Sequence, residues 1–276
     1  MNRKKFCVLF VTSLLLLSSC CAYADSVKIG MLMPAKLVAG ATDNPIDLDD
    51  IVRWAIFRPE HGSNEASFKF YSNFATMLMA MNAGEIDEFS VCQPVGEYII
   101  NVNPEFVVSC AARITGASFV FGFREGEGEA VRDKFNAALA EMRKDGTLDA
   151  LRQKYCSTPG KDTADSVKME KFPDAETVRI AVTGDTPPLD FVAADGEAAG
   201  FNTAILSEIG RRAKLNIKLV YVETAARTTA LMSGRADAVF WYQMYKGVKD
   251  QPDAADGVIF SEPYYDTNIF LHIGRK

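Results

Sequence analysis

Two stretches of this chain repeat one construction. Ala75-Thr76-Met77-Leu78-Met79-Ala80 leads through Gly84-Glu85-Ile86 to Asp87, and Arg227-Thr228-Thr229-Ala230-Leu231-Met232 leads through Gly234-Arg235-Ala236 to Asp237. Each reads as a helix, a closing glycine, an aspartate and then a buried strand. Glycine suits the stop because it enters the left-handed backbone region without a steric penalty. Two such units in one chain predict two similarly built lobes, each of α/β type.

The rest of the pattern agrees, with short β-type runs alternating with helical ones. Strands are predicted over Val27 to Met31, Phe68 to Tyr71, Ile86 to Val91, Phe106 to Ser109 and Phe119 to Phe123. Ile46 to Phe57 reads weakly as a helix, Asn73 caps a helix through Met81, and Pro94 opens the next. Val131, Phe135, Ala138, Leu139 and Met142 recur at helical spacing, and Thr147 is read as the cap of a shorter helix after Gly146. Residues 157–175 are polar, with Pro159, Gly160 and Pro173, and read as a linker. Beyond it come a strand over Val178 to Val182 and a turn at Gly184-Asp185-Thr186-Pro187-Pro188. A helix capped by Asn202 runs to Ala213, and Ile217 to Val222 is a strand. Ala225 to Ser233 is helical, and strands follow over Ala238 to Trp241, Val258 to Ser261 and Asn268 to Ile273.

The first residues are Met-Asn-Arg-Lys-Lys followed by an apolar run from Phe6 to Leu17, the pattern of a secretory signal peptide. Its 12 residues are too few for a bilayer-spanning helix, which needs about 20. Two cleavage sites are readable. Ala22-Tyr23-Ala24 precedes Asp25 as a small-x-small site, while Leu17-Ser18-Ser19-Cys20 resembles a lipobox, which would place a lipid on Cys20. Both imply export to the periplasm or another extracytoplasmic space. Removing residues 1–24 leaves 252 residues and takes away Arg3, Lys4 and Lys5, moving the formal charge from −6 to −9. That acidic balance argues against a nucleic-acid partner. Cys92, Cys110 and Cys156 remain, an odd number that allows at most one internal disulfide. His61 and His272 are far apart, so a histidine-based zinc site is not expected, and no metal or organic cofactor is implied.

Five blocks stand in order: Asp185-Thr-Pro-Pro-Leu-Asp-Phe191, Asp195-Gly196, Gly200-Phe201-Asn202, Ser233-Gly-Arg-Ala-Asp237 and, most specific, Phe260-Ser-Glu-Pro-Tyr-Tyr265. Together they resemble the bacterial extracellular solute-binding proteins of family 3. Earlier in the chain, Asn82-Ala-Gly-Glu-Ile-Asp87, Pro94-Val-Gly-Glu-Tyr98 and Phe121-Gly-Phe-Arg-Glu-Gly126 through Asp145-Gly-Thr-Leu148 are similar to the later parts of such proteins. The resemblance therefore implies an α/β, two-lobed type II periplasmic binding protein clamshell in circularly permuted order. The expected divisions are a signal over 1–24, the second lobe over 26–116, and a return strand with first-lobe helices over 117–156. The linker over 157–175 and the main part of the first lobe over 176–276 complete it. A tandem of two incomplete modules is the rival organisation.

By the same resemblance a solute is held between the lobes, with Asp185, Thr186, Thr224, Trp241, Tyr242 and Gln243 facing it from one lobe and Cys92 and Gln93 from the other. Trp241 and Tyr242 offer rings for stacking, and Gln243 both a donor and an acceptor. The amino-acid clamp of the family is altered. Gln243-Met-Tyr-Lys-Gly-Val-Lys249 holds no arginine, leaving Lys246 or Lys249 to replace it. Cys92 stands where an aspartate is usual, and Met33-Pro34-Ala35-Lys36 replaces an anion-binding loop. The expected function is a monomeric receptor that captures a small polar, amino-acid-like solute and hands it to an ABC importer permease. A sensor or scaffold in the cell envelope is the alternative. An enzyme on the same scaffold is the third reading, with Asp185, Asp190, Glu223 and Cys92 as its available groups.

Overall fold

The computed structural model describes residues 27–34, 66–157, 165–246, 251, 253 and 255–276. The signal segment, the weak helix over Ile46 to Phe57, Lys36 and Lys249 lie outside these residues.

The first half of the fold is built on β1 (Val27–Leu32), β2 (Ala66–Tyr71) and β3 (Glu88–Cys92), all parallel and ordered β2-β1-β3. Helix α1 (Phe74–Asn82) starts where the Asn73 side chain accepts the Thr76 N–H at 2.8 Å. Helix α2 (Gln93–Val102) carries Pro94 in its first turn, where no N–H is needed. A long strand, β4 (Phe106–Arg124), leaves this half. It is followed by α3 (Glu129–Lys144) and α4 (Thr147–Cys156). The second half is built on β5 (Thr177–Val182), with a small antiparallel sheet of β6 (Asp185–Thr186), β7 (Asp190–Val192) and β8 (Ala198–Ala199) beside it. Then come α5 (Phe201–Ala213), β9 (Asn216–Tyr221), a 3-10 turn over Thr224–Ala226, α6 (Arg227–Met232) and β10 (Ala238–Tyr245). β5 pairs in parallel with both β9 and β10, so this half repeats the order of the first. The chain closes with β11 (Val258–Phe260) and β12 (Tyr265–Arg275).

Between the two parallel triplets lie β12 and β4, antiparallel to each other and to their outer neighbours. Among the described residues these two strands are the places where the chain passes from one half to the other. The register of β12 on β4 shifts between Thr267 and Ile269. At that level Gly116 has a φ of 79°, and its N–H donates to Asn268 Oδ1 at 3.3 Å.

The internal echo of the sequence is a geometric repeat. Asp87 accepts the Lys28 N–H on its carboxylate at 2.8 Å and donates its own N–H to Lys28 O at 2.8 Å. Asp237 does the same with Arg179, again at 2.8 Å in both directions. Each aspartate thus ties the strand that follows to the first strand of its own triplet. Gly84 and Gly234 precede them with φ of 72° and 71°. The apolar side chains close two connected layers. Phe135 of α3 meets Phe121 and Phe123 edge-on, at 5.2 Å each, while Phe89 of β3 meets Phe74 and Phe106 at 6.1 Å.

Four local expectations change. The runs at Phe106 and Phe119 are one strand, paired with β12 on both sides of a register shift at residues 114–116. Asn202 is inside α5, and Gly200 takes the cap with φ 105°. A Cβ there would stand 2.5 Å from Leu189 O. Gly146, left-handed with φ 81°, precedes α4, so Thr147 is its first residue and its N–H is bound by Asp145 Oδ1 at 3.0 Å. The described part of the 157–175 stretch is pinned to the second half. Val167 N–H donates to Ala198 O at 2.8 Å, and Val167 and Met169 pack on the core.

Asp190 gives a test of this half. It is buried, and one carboxylate oxygen accepts the Thr183 N–H, the Thr183 hydroxyl and the Gly184 N–H at 2.8, 3.0 and 2.6 Å. Loss of hydration nevertheless outweighs those bonds and raises its pKa from 3.8 to about 6. Below about pH 4 both the folded and unfolded chains hold this proton. Between about 4 and 6 the unfolded chain has released it and the folded chain keeps it, so this group makes stability fall as pH rises, by on the order of 3 kcal/mol. Above about 6 the contribution is flat. Urea unfolding at pH 4, 5, 6 and 7 is expected to show that component in the native protein and not in Asp190→Asn. Equal slopes for the two proteins would contradict it.

Candidate functional site

The carboxyl ends of both parallel triplets face each other, the position where open α/β sheets place ligand crevices. A cavity of about 110 Å³ lies there. From the first half it is walled by Met31 and Leu32 at the end of β1, by Met33 and Pro34 just after it, by Phe70 of β2, and by Ser90, Val91 and Cys92 at the end of β3. From the second half come Thr224, Arg227, Trp241, Gln243, Tyr245 and Asp253. Phe119 and Phe270, on the two crossing strands, form the wall between the halves.

Trp241 reaches the cavity through a backbone irregularity. Between Val239 and Tyr242 the β10–β4 register slips, so two residues of β10 oppose one of β4. Trp241 sits in that bulge with φ 66°, a conformation that costs a bulky residue on the order of 1–3 kcal/mol and clusters at functional sites. Its ring stands edge-on to Phe119 at 5.5 Å and stacks on Phe240 at 6.4 Å. Tyr242 points the other way, fully buried, with its hydroxyl 2.9 Å from Thr228 Oγ1 and its ring edge-on to Phe260.

Arg227 is the residue that sequence reasoning missed. It is buried at the start of α6, where its guanidinium reaches three neighbours. Nε donates to Thr224 O at 3.0 Å, Nη1 donates to Trp241 O, and Nη2 lies 3.7 Å from Asp253 Oδ1. The face of the group lies 5.5 Å from the Tyr242 ring centre. Asp253 also accepts the Gln243 N–H at 3.0 Å. The arginine therefore clamps the bulge, the 3-10 turn and the following loop together. A signal was available, because Thr224 and Arg227 stand three residues apart at a turn after β9. The repeat drew attention to Arg227 only as the first residue of a helix.

The remaining polar lining is neutral. Burial raises the Cys92 thiol to about 12, so it carries its proton at neutral pH. Cys92, Cys110 and Cys156 are all free thiols. Ser90 Oγ, Thr224 Oγ1 and Gln243 Nε2 are buried with no hydrogen-bond partner among the described residues.

Of the residues read from the sequence, Cys92, Thr224, Trp241 and Gln243 come together on this cavity, and Asp185, Thr186, Tyr242 and Gln93 lie outside its walls. Gln93 is turned along α2 to Glu97 Oε1, at 2.6 Å. Thr186 is buried, its hydroxyl donating to Asp185 Oδ1 at 3.0 Å. Asp185 instead joins the halves: its Oδ2 accepts the N–H of Phe74, the first residue of α1, at 2.9 Å. Beside it, Asn73 Nδ2 approaches Glu223 Oε1 at 3.4 Å and Ala225 N–H donates to Ser72 O at 3.2 Å. Lys246 is exposed, with its N–H bound to Gly116 O at 2.8 Å. No metal-binding cluster occurs among the described residues, and none of their helices is long and apolar enough to cross a membrane.

Two α/β halves, two crossing strands and a cavity between them make this a two-lobed mixed α/β fold of the periplasmic binding protein type. Residues 178–273 match the family model of the bacterial extracellular solute-binding proteins, family 3. No curated protein matches the chain. Among solved structures it is similar to the ligand-binding component of an ABC-type import system from Staphylococcus aureus, solved with zinc bound, at 11% identity and TM-score 0.46, covering 91% of this chain and 66% of that one. It is also similar to the aliphatic sulphonate binding protein SsuA from Escherichia coli, at 12% identity and TM-score 0.40, covering 91% and 65%. Prephenate dehydratase from Arthrobacter aurescens is a third, at 13% identity and TM-score 0.36, covering 91% and 61%. The chain thus spans about two thirds of the length of these structures or slightly less.

The Asp185 contact is open to direct measurement. A hydrogen bond to a charged acceptor contributes about 1.5–3 kcal/mol. Asp185→Ala is expected to speed amide exchange at Phe74 roughly tenfold or more, and Asp185→Asn much less. Unchanged exchange in Asp185→Ala would show that the contact does not hold the halves.

Proposed function

We propose that the protein is an extracytoplasmic receptor that captures a small solute between its two halves and presents it to an ABC importer permease. The observation that carries this reading is the cavity itself. It is walled by both triplets and by both crossing strands, and it holds an aromatic residue aimed inward by a strained bulge. The family match over residues 178–273 supports a binding role. The charged groups considered for chemistry also fit binding better than catalysis. Asp190 is locked by three donors, Asp185 and Glu223 face the contact between the halves, and Cys92 is a protonated thiol.

Export through the segment at 1–24, with release at Ala24 or lipid attachment at Cys20, belongs to the same proposal, as does a monomeric state. The permuted order does too. It is supported by the start of β1 and the end of β12 lying at one level on either side of β3, with Ile29 and Gly274 both paired to Glu88. So do the divisions at 116/117, which falls inside β4 at Gly116, and at 157–175.

A thermal-shift screen against amino acids, polyamines, peptides, sugars, organic anions and small neutral aromatics tests the receptor. A ligand at 100 times its Kd stabilises the bound form by about 2.7 kcal/mol. A saturable shift from one chemical class is expected. Trp241→Gly is expected to weaken binding of that class at least roughly tenfold while leaving the unliganded melting temperature unchanged or higher, since glycine relieves the positive φ. A large fall in melting temperature would assign the ring to the core instead.

A further inference from the structure

We propose that the cavity takes an uncharged ligand about the size of one ring, bearing a single neutral polar group such as a primary amide, and not a zwitterionic amino acid or an anion. This rests on the receptor reading and narrows its solute.

Size sets the first limit. The cavity of about 110 Å³ is somewhat smaller than the ~150 Å³ cavity that accommodates benzene. A single ring or a short branched chain fits that scale, and a peptide or a disaccharide does not. The walls of Met31, Phe70, Phe119, Trp241 and Phe270 favour an apolar body.

The polar groups set the second. Ser90 and Thr224 are only 8% and 5% exposed, and their hydroxyls, like Gln243 Nε2, have no partner among the described residues. Buried polar groups left unpaired are costly and rare, so three on one small cavity point to a ligand that completes them. Gln243 Nε2 donates, and the hydroxyls both donate and accept. A carbonyl oxygen with an adjacent NH₂ answers that set.

Charge sets the third. Arg227 is the cation among the described lining residues; its Nε and Nη1 donate to Thr224 O and Trp241 O, and its Nη2 is ion-paired with Asp253 at 3.7 Å. Asp253 in turn is matched by Arg227 and the Gln243 N–H. The two charges offset each other, so an ion entering this site would shed its hydration and meet no unbalanced opposite charge among the described lining residues.

The test uses benzamide, benzoate and benzylammonium, which share a ring and differ in charge, together with toluene, L-phenylalanine and L-glutamate. Each is titrated into the purified protein and followed by ligand-observed NMR. Benzamide is expected to saturate and to bind at least about tenfold more tightly than either ion. Gln243→Met is expected to lower benzamide affinity about tenfold and leave toluene affinity unchanged. Tighter binding of benzoate or of either amino acid than of benzamide would overturn the ligand class and leave the receptor reading standing. An equal loss of benzamide and toluene in Gln243→Met would overturn the polar contact. Flat titrations with all six compounds on folded protein would overturn ligand class and receptor reading together.

Discussion

Every other feature of this molecule depends on the antiparallel pairing of β4 with β12. Each half is a parallel triplet whose inner strand would otherwise expose an unpaired edge. The two long strands satisfy both edges and merge the halves into one continuous sheet, ordered β2-β1-β3-β12-β4-β10-β5-β9. Because parallel strands end at the same level within each half, joining the triplets through antiparallel strands brings their carboxyl ends face to face. The cavity is therefore a product of topology. Phe119 and Phe270 line it because they lie on the strands that make the join.

Much of this was readable from residue order. The helix–glycine–aspartate units gave the two halves, and their physical basis is now visible. Each aspartate binds the backbone of the neighbouring first strand, in addition to the helix stop supplied by glycine. Asn73 and Pro94 mark real helix starts for the reasons that make them good caps. Long-range pairing was not readable. That Phe106 and Phe119 share one strand depends on β12, far along the chain, which pairs on both sides of Gly116. Asn202 and Thr147 were attractive caps by type, yet a glycine at each position met a backbone requirement that no side chain could.

The site divides along the same line. Cys92, Thr224, Trp241 and Gln243 were found by resemblance, because strand ends in this architecture face the crevice. Alternation along β10 cannot tell Trp241 from Tyr242. The bulge decides which ring enters the cavity, and it depends on the pairing of β10 with β4. Arg227 escaped notice for a related reason. Its role is to hold carbonyl oxygens of the turn and of the bulge, neither of which the sequence specifies alone.

The irregularity at Gly116 and Asn268 has a mechanical meaning. Two strands bonded side by side form a ribbon that resists stretching and shearing in its own plane and yields most readily to bending out of it. The ribbon loses its regular register between Thr267 and Ile269, where the halves meet, and again between His272 and Ile273, inside the first half. Any flexing of one half against the other is therefore concentrated at the first of these levels, where it leaves the pairing within each parallel triplet intact.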